Sequence, residues 1–166
     1  VSASDLTLGG ANAANYTLSS TTATAIANVT AATLTPSITA SNKAYDGTPA
    51  ATITCALSGV IGTDAVTCSG TAPFDTALVG TGKTVTASNL TLGGDAAANY
   101  TLATTSATTT ASITAVVLTP TITASNKPYD GTPAAAITCA LGGIVGTDDV
   151  TCSGTATFDT ATIGTG

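Results

Sequence analysis

Apolar and polar residues alternate along this chain in short runs. Glycine, proline and Asn/Asp turns interrupt them. In Thr52-Ile53-Thr54-Cys55-Ala56-Leu57, Ile53, Cys55 and Leu57 fall on one face of an extended strand. Ala65-Val66-Thr67-Cys68 resumes the alternation with Val66 and Cys68 on one face. Between them Gly59 and Gly62 mark a loop, so the two runs predict a hairpin that sets Cys55 opposite Cys68. Ser37-Ile38-Thr39-Ala40 predicts a strand started after Pro36, because a proline cannot donate to a ladder.

Further along, the apolar phase slips. Val85 and Ala87 occupy odd positions, Leu90 and Leu92 even ones, which predicts a bulge near Ser88-Asn89. Tyr100 and Leu102 share a face, as do Ala111, Ile113 and Ala115. The last of these runs continues through Val116-Val117-Leu118 with no flexible linker, which predicts a stiff join to the next segment. No segment carries a helical apolar period. Asp95-Ala96-Ala97-Ala98 predicts one helical turn at most, capped by Asp95. The pattern is all-β, with roughly six or seven short strands per unit.

The unit is a repeat of 84 residues without insertion or deletion, and 59 of the 82 comparable positions are identical. Asn15-Tyr16 recurs as Asn99-Tyr100, Tyr45-Asp46-Gly47 as Tyr129-Asp130-Gly131, and Cys55 and Cys68 as Cys139 and Cys152. The period exceeds the roughly 20–50 residues of solenoid repeats and suits a small domain with its own core. Residues 37–120 read as one complete copy, 1–36 as the closing part of one before it, and 121–166 as the opening part of the next. Joining Gly166 to another Val1 needs only the two residues that Lys83-Thr84 occupy, so the chain reads as a segment of an array. As a discrete subunit it would instead complement its neighbours head to tail.

Composition narrows the chemistry. Leu, Ile, Val and Phe total 32 of 166 residues, so the core is thin, while 39 Thr and 7% charged residues favour strands over solvated coil. Paired cysteines spaced 13 apart predict one disulfide per repeat and an extracellular or cell-surface location; two buried free thiols per repeat are the alternative. The chain lacks His, Glu, Arg, Met and Trp, and carries a net charge of −6. Nucleic acid and membrane insertion are therefore not expected, and neither is a metal or cofactor. An enzyme is not expected either, because only Asp and Lys could serve as acid or base. Asp46, Asp64, Asp75 and Asp95 read as turn residues. An intramolecular Lys–Asn crosslink is conceivable at Lys43 and Lys127, which follow Asn42 and Asn126, with Asp46 or Asp75 as the acid; a solvated turn lysine is the simpler reading.

Tyr45-Asp46-Gly47-Thr48 after a first strand, then Gly62-Thr63-Asp64-Ala65-Val66, Gly80-Thr81-Gly82-Lys83-Thr84-Val85, Leu90-Thr91-Leu92-Gly93-Gly94-Asp95 and Asn99-Tyr100-Thr101-Leu102 resemble the YDG domain. The resemblance covers the whole period. It implies tandem small β-sandwich-like domains (Ig-like or β-grasp-like) of a large secreted bacterial surface protein, of the kind found in adhesins and beside MBG repeats. It implies no catalytic residues. The paired cysteines depart from that family's usual pattern and suggest a crosslinked version. Two functions arise as expectations. One is a structural fibre or stalk whose partners are neighbouring copies of itself. The other is an adhesin module binding a host or matrix glycan or protein.

Overall fold

The computed structural model describes residues 1–164, so the join at Gly166 lies outside the described residues. The fold is all-β, and the complete unit is a two-sheet sandwich. In chain order, β1 (Ser2–Ala3) and β2 (Ala23–Thr24) precede β3 (Ala32–Ala40), β4 (Lys43–Ala44), β5 (Ala50–Ala51), β6 (Ile53–Ser58) and β7 (Thr67–Pro73). Then come β8 (Gly80–Gly93), β9 (Tyr100–Leu102), β10 (Ala107–Thr114), β11 (Thr119–Ala124), β12 (Ala134–Ala135), β13 (Ile137–Gly142) and β14 (Ala156–Thr157). A five-stranded sheet has the order β4-β10-β8-β7-β5, and a three-stranded sheet the order β6-β3-β9. The two sheets enclose Ile38, Ala72, Phe74, Val85, Ala87, Leu90, Ala111 and Ile113.

The alternation of the sequence appears directly in β6, where Ile53, Cys55 and Leu57 face inward. The phase slip also appears. β8 pairs with β10 through its first half and with β7 through its second, and Asn89 between them adopts a left-handed φ of 57°. One extra residue on β8 lets Val85 and Ala87, then Leu90, all point into the core.

Three local expectations are corrected. The runs holding Cys55 and Cys68 do not form a hairpin. β6 pairs with β3, and β7 pairs with β8, so the chain crosses from one sheet to the other between them. Alternation shows which side chains share a face; it cannot show whether the next strand lies beside or opposite. Next, β3 does not start after Pro36 but runs through it from Ala32, and the division at 36/37 falls inside this strand. The proline is tolerated because β9 pairs only with Ala32–Leu34, leaving that side of β3 open from Pro36 onward. Lastly, the single helical turn is a 3-10 turn over Ala97–Asn99 without a side-chain cap. The Ala97 N–H donates to Gly94 O and so closes the turn without Asp95.

The segments outside the complete unit repeat its local pairings. β11 pairs with β13 from Thr119↔Gly142 to Ala124↔Ile137, the register of β3 with β6 moved by one period. β12–β14 repeats β5–β7, and β1–β2 repeats the end of β8–β10. No described helix is long and apolar enough to cross a membrane.

Candidate functional site

Three groups of the repeated landmark residues come together in the structure. The first is the crosslink. Cys55–Cys68 and Cys139–Cys152 are both disulfides, with Cα–Cα separations of 5.6 and 5.7 Å. Both cysteines of the first pair pack against the core cluster, so this bond clamps the two sheets together.

The second is the turn built by Tyr45-Asp46-Gly47-Thr48. Asp46 Oδ1 accepts from the Thr48 N–H at 2.9 Å, from Thr48 Oγ1 at 2.9 Å and from Lys43 Nζ at 2.7 Å. Lys43 also donates to the Thr48 carbonyl at 2.7 Å and sits 5.8 Å from the centre of the Phe74 ring. The lysine, then the Thr48 donors, hold the Asp46 carboxyl down at a pKa of about 2. Lys127, Asp130, Thr132 and Phe158 repeat the arrangement, with Asp130 likewise at about 2. Gly47 and Gly131 take φ of 77° and 74°, which favours glycine at the turn's third position. The Lys43 ammonium is therefore engaged by Asp46 and Thr48, while Asn42 turns its side-chain carbonyl to the Ser112 N–H at 2.7 Å. The geometry supports the turn-lysine reading over a Lys43–Asn42 crosslink. Lys83 is held similarly by Asp75 at 2.7 Å, and this contact is the first cause of the lowered Asp75 pKa.

The third group was only half legible. Tyr100 of the Asn99-Tyr100 landmark is buried, and its hydroxyl donates to Asp64 Oδ2 at 2.6 Å. The hydroxyl oxygen in turn accepts from the Ile61 N–H at 3.0 Å. Asp64 acts first, and burial second, to raise the Tyr100 pKa above 10.0. Asp64 is thus the anchor of Tyr100 rather than a simple turn residue, which the sequence reading missed. A signal was available: Asp64 recurs as Asp148 while its neighbours Ile61 and Ala65 become Val145 and Asp149. Tyr16, the other copy of this tyrosine, is 70% exposed, with no Asp64 counterpart in the chain.

Tyr45 lies where the complete unit hands over to the next. Its N–H donates to Thr114 O, at the last residue of β10, at 2.8 Å. Its side chain is half-buried and lines a cleft of about 200 Å³ with Val79, Val116, Ile144, Val145 and Asp148. Among the described residues no cluster of Asp, Cys, His or Glu is placed to hold a metal. The site offers packing and hydrogen bonding; its aspartates are engaged as hydrogen-bond and ion-pair acceptors at positions 46, 64, 75 and 130.

Comparison with known proteins agrees with the repeat. The family model of the YDG domain matches residues 30–111 and again residues 113–166. No curated protein and no solved structure matches the chain.

Proposed function

The chain belongs to the YDG-domain family, and on that premise we propose that it is a non-catalytic structural segment of a bacterial extracellular fibre or stalk. The observation that carries this reading is the handover between copies. β10 ends at Thr114, and Val116 is the period-shifted counterpart of Ala32, the first residue of β3. Four residues, 115–118, separate β10 from β11, and the last three of them are the counterparts of Ala32–Leu34, which are already strand in the complete unit. A linker that short leaves two domains little freedom, which suits a spacer that must hold its length.

Two further observations support the reading. The disulfides fit an oxidising compartment outside the cytoplasm. The repeated residues that do something visible do structural work: they clamp sheets, lock turns or anchor a buried tyrosine. The partners under this reading are further copies of the same unit.

Imaging of the native material tests it directly. The expected result is thin fibres whose axial spacing matches the length of one unit. Isolated globules on the cell surface that bind a glycan or matrix protein would replace the fibre with the adhesive reading. Recovery of the protein from the cytoplasm with four free thiols would remove both.

A further inference from the structure

The loop after β6 has the same geometry in both copies. The Asp64 N–H donates to Ile61 O at 3.3 Å, and the Asp148 N–H to Val145 O at 3.2 Å. Gly62 and Gly146 take φ of 59° and 58°. In the complete unit this loop carries the acceptor for Tyr100. In the second copy no residue equivalent to Tyr100 is present in the chain, and the loop forms all the same. The aspartate is therefore placed by its own loop and not by the tyrosine it holds.

Facing Asp148 instead is Tyr45, from the preceding copy. Both side chains line the cleft at the seam, and Val145 of the same loop lies 3.7 Å from where a Cβ on Gly47 would stand. Tyr129, which is Tyr45 one period later, is 68% exposed. Tyr45 is half-buried: it packs on the core of its own unit and, beyond that, lines the cleft with the loop of the next copy. For Tyr129 the counterparts of that loop and of most of that core lie beyond residue 166.

We propose that the tyrosine of the YDG turn is the coupling residue between successive repeats, docking through its hydroxyl on the Asp148-position carboxylate of the next repeat. A carboxylate has two oxygens. In the complete unit Tyr100 engages Oδ2 of Asp64, and Oδ1 takes no side-chain hydrogen bond among the described residues. The same aspartate can therefore close its own repeat through one oxygen and receive the preceding repeat through the other. The orientation of each repeat is then linked to the closure of the next. This rests on the array reading above and adds the contact that would transmit stiffness along it.

Tyr45 reports the contact. The Asp148 carboxylate beside it in the cleft, then burial, then the charges of Asp148 and Asp46 all raise its pKa above the ordinary 10.0. The experiment tracks the ring-carbon NMR signal of each tyrosine through an alkaline titration of the 166-residue chain. Asp148→Ala is expected to return Tyr45 towards 10.0 and leave Tyr100 where it was. Tyr45→Phe keeps the ring in the cleft and removes only the hydroxyl. It is expected to leave the unit around β3–β10 folded while the β11–β13 segment loses its fixed orientation relative to it, read as unequal alignment in residual dipolar couplings. An unchanged Tyr45 titration in Asp148→Ala overturns the proposal, and so does an unchanged mutual orientation in Tyr45→Phe. Either result leaves the fibre reading standing, because that depends on the axial spacing of the native material.

Discussion

Identical residues one period apart have different fates in this molecule. Ile38 is 7% exposed and Ile122 is 60%; Phe74 is 3% exposed and Phe158 is 37%. Their local surroundings are nevertheless the same. Both isoleucines sit opposite the cysteine of a paired strand, Cys55 or Cys139. Both phenylalanines lie beneath the lysine of a YDG turn. The difference lies at the far end of the period. Ile38 and Phe74 pack with Val85, Leu90 and Ile113. The corresponding positions for Ile122 and Phe158 lie beyond residue 166. Ladders and turns need only neighbours, whereas the core needs the whole period.

The strongest way to break that contrast is to empty the core at equivalent positions. Phe74→Ala is expected to destabilise the chain by about 3–5 kcal/mol, the usual cost of deleting a buried aromatic ring. Phe158→Ala is expected to move the same denaturant midpoint by less than about 0.5 kcal/mol, as surface changes do. Equal shifts would mean that the second copy shares the core's cooperative unit.

The disulfides give the next largest contrast. Replacing Cys55 and Cys68 together by serine is expected to cost about 3 kcal/mol, from the loop entropy released on opening a loop of this size. The same change at Cys139 and Cys152 should leave the main thermal transition in place, because that bond ties β13 to an irregular segment outside the packed unit. Calorimetry of the two double variants, side by side, decides it.

Glycine substitution sharpens the comparison further. Gly94 and Gly10 both have left-handed φ, 93° and 100°. A Cβ on Gly94 would run into the Ala65 carbonyl, whereas one on Gly10 meets nothing. Gly94→Ala is expected to lower the unfolding midpoint by at least the roughly 1–2 kcal/mol that left-handed backbone costs an L-residue. Gly10→Ala should leave that midpoint unmoved.

The smallest effects come from titration. Asp46 and Asp130 both have pKa values near 2, below their unfolded 3.8. A depressed carboxyl stabilises the fold above pH 3.8, and that contribution fades as pH falls towards 2. Only the Asp46 turn belongs to the packed unit, so Asp46→Asn should flatten the acid side of the stability curve and Asp130→Asn should not. Tyr100 has the opposite sign of titration. Its raised pKa contributes stability below pH 10.0 that is lost as pH climbs through the folded value. Tyr100→Phe should therefore remove part of the alkaline limb.

The sequence was legible where structure is local. The alternation in Thr52–Leu57 placed Ile53, Cys55 and Leu57 on one face, and the slip between Ala87 and Leu90 placed the bulge at Asn89. Paired cysteines at one spacing in two copies announced the two disulfides. It was illegible where two strands of the same pattern could lie side by side or face to face. β6 and β7 read as a hairpin, and they belong to opposite sheets. The Tyr100–Asp64 contact was hidden for a related reason: an aspartate in a glycine-rich loop looks like a turn residue until a tyrosine from another strand arrives over it.

By itself, then, the sequence determined the strand class, the period, the turn chemistry and the crosslinked cysteines. These depend on residue types within a few positions, or on copying from one unit to the next. Tertiary structure alone decided that the disulfide spans the sandwich, that Asp64 serves Tyr100, and that Tyr45 faces Asp148 across the seam. Each of those joins residues from different strands or different copies, and alternation fixes a side chain's face without fixing what stands opposite it.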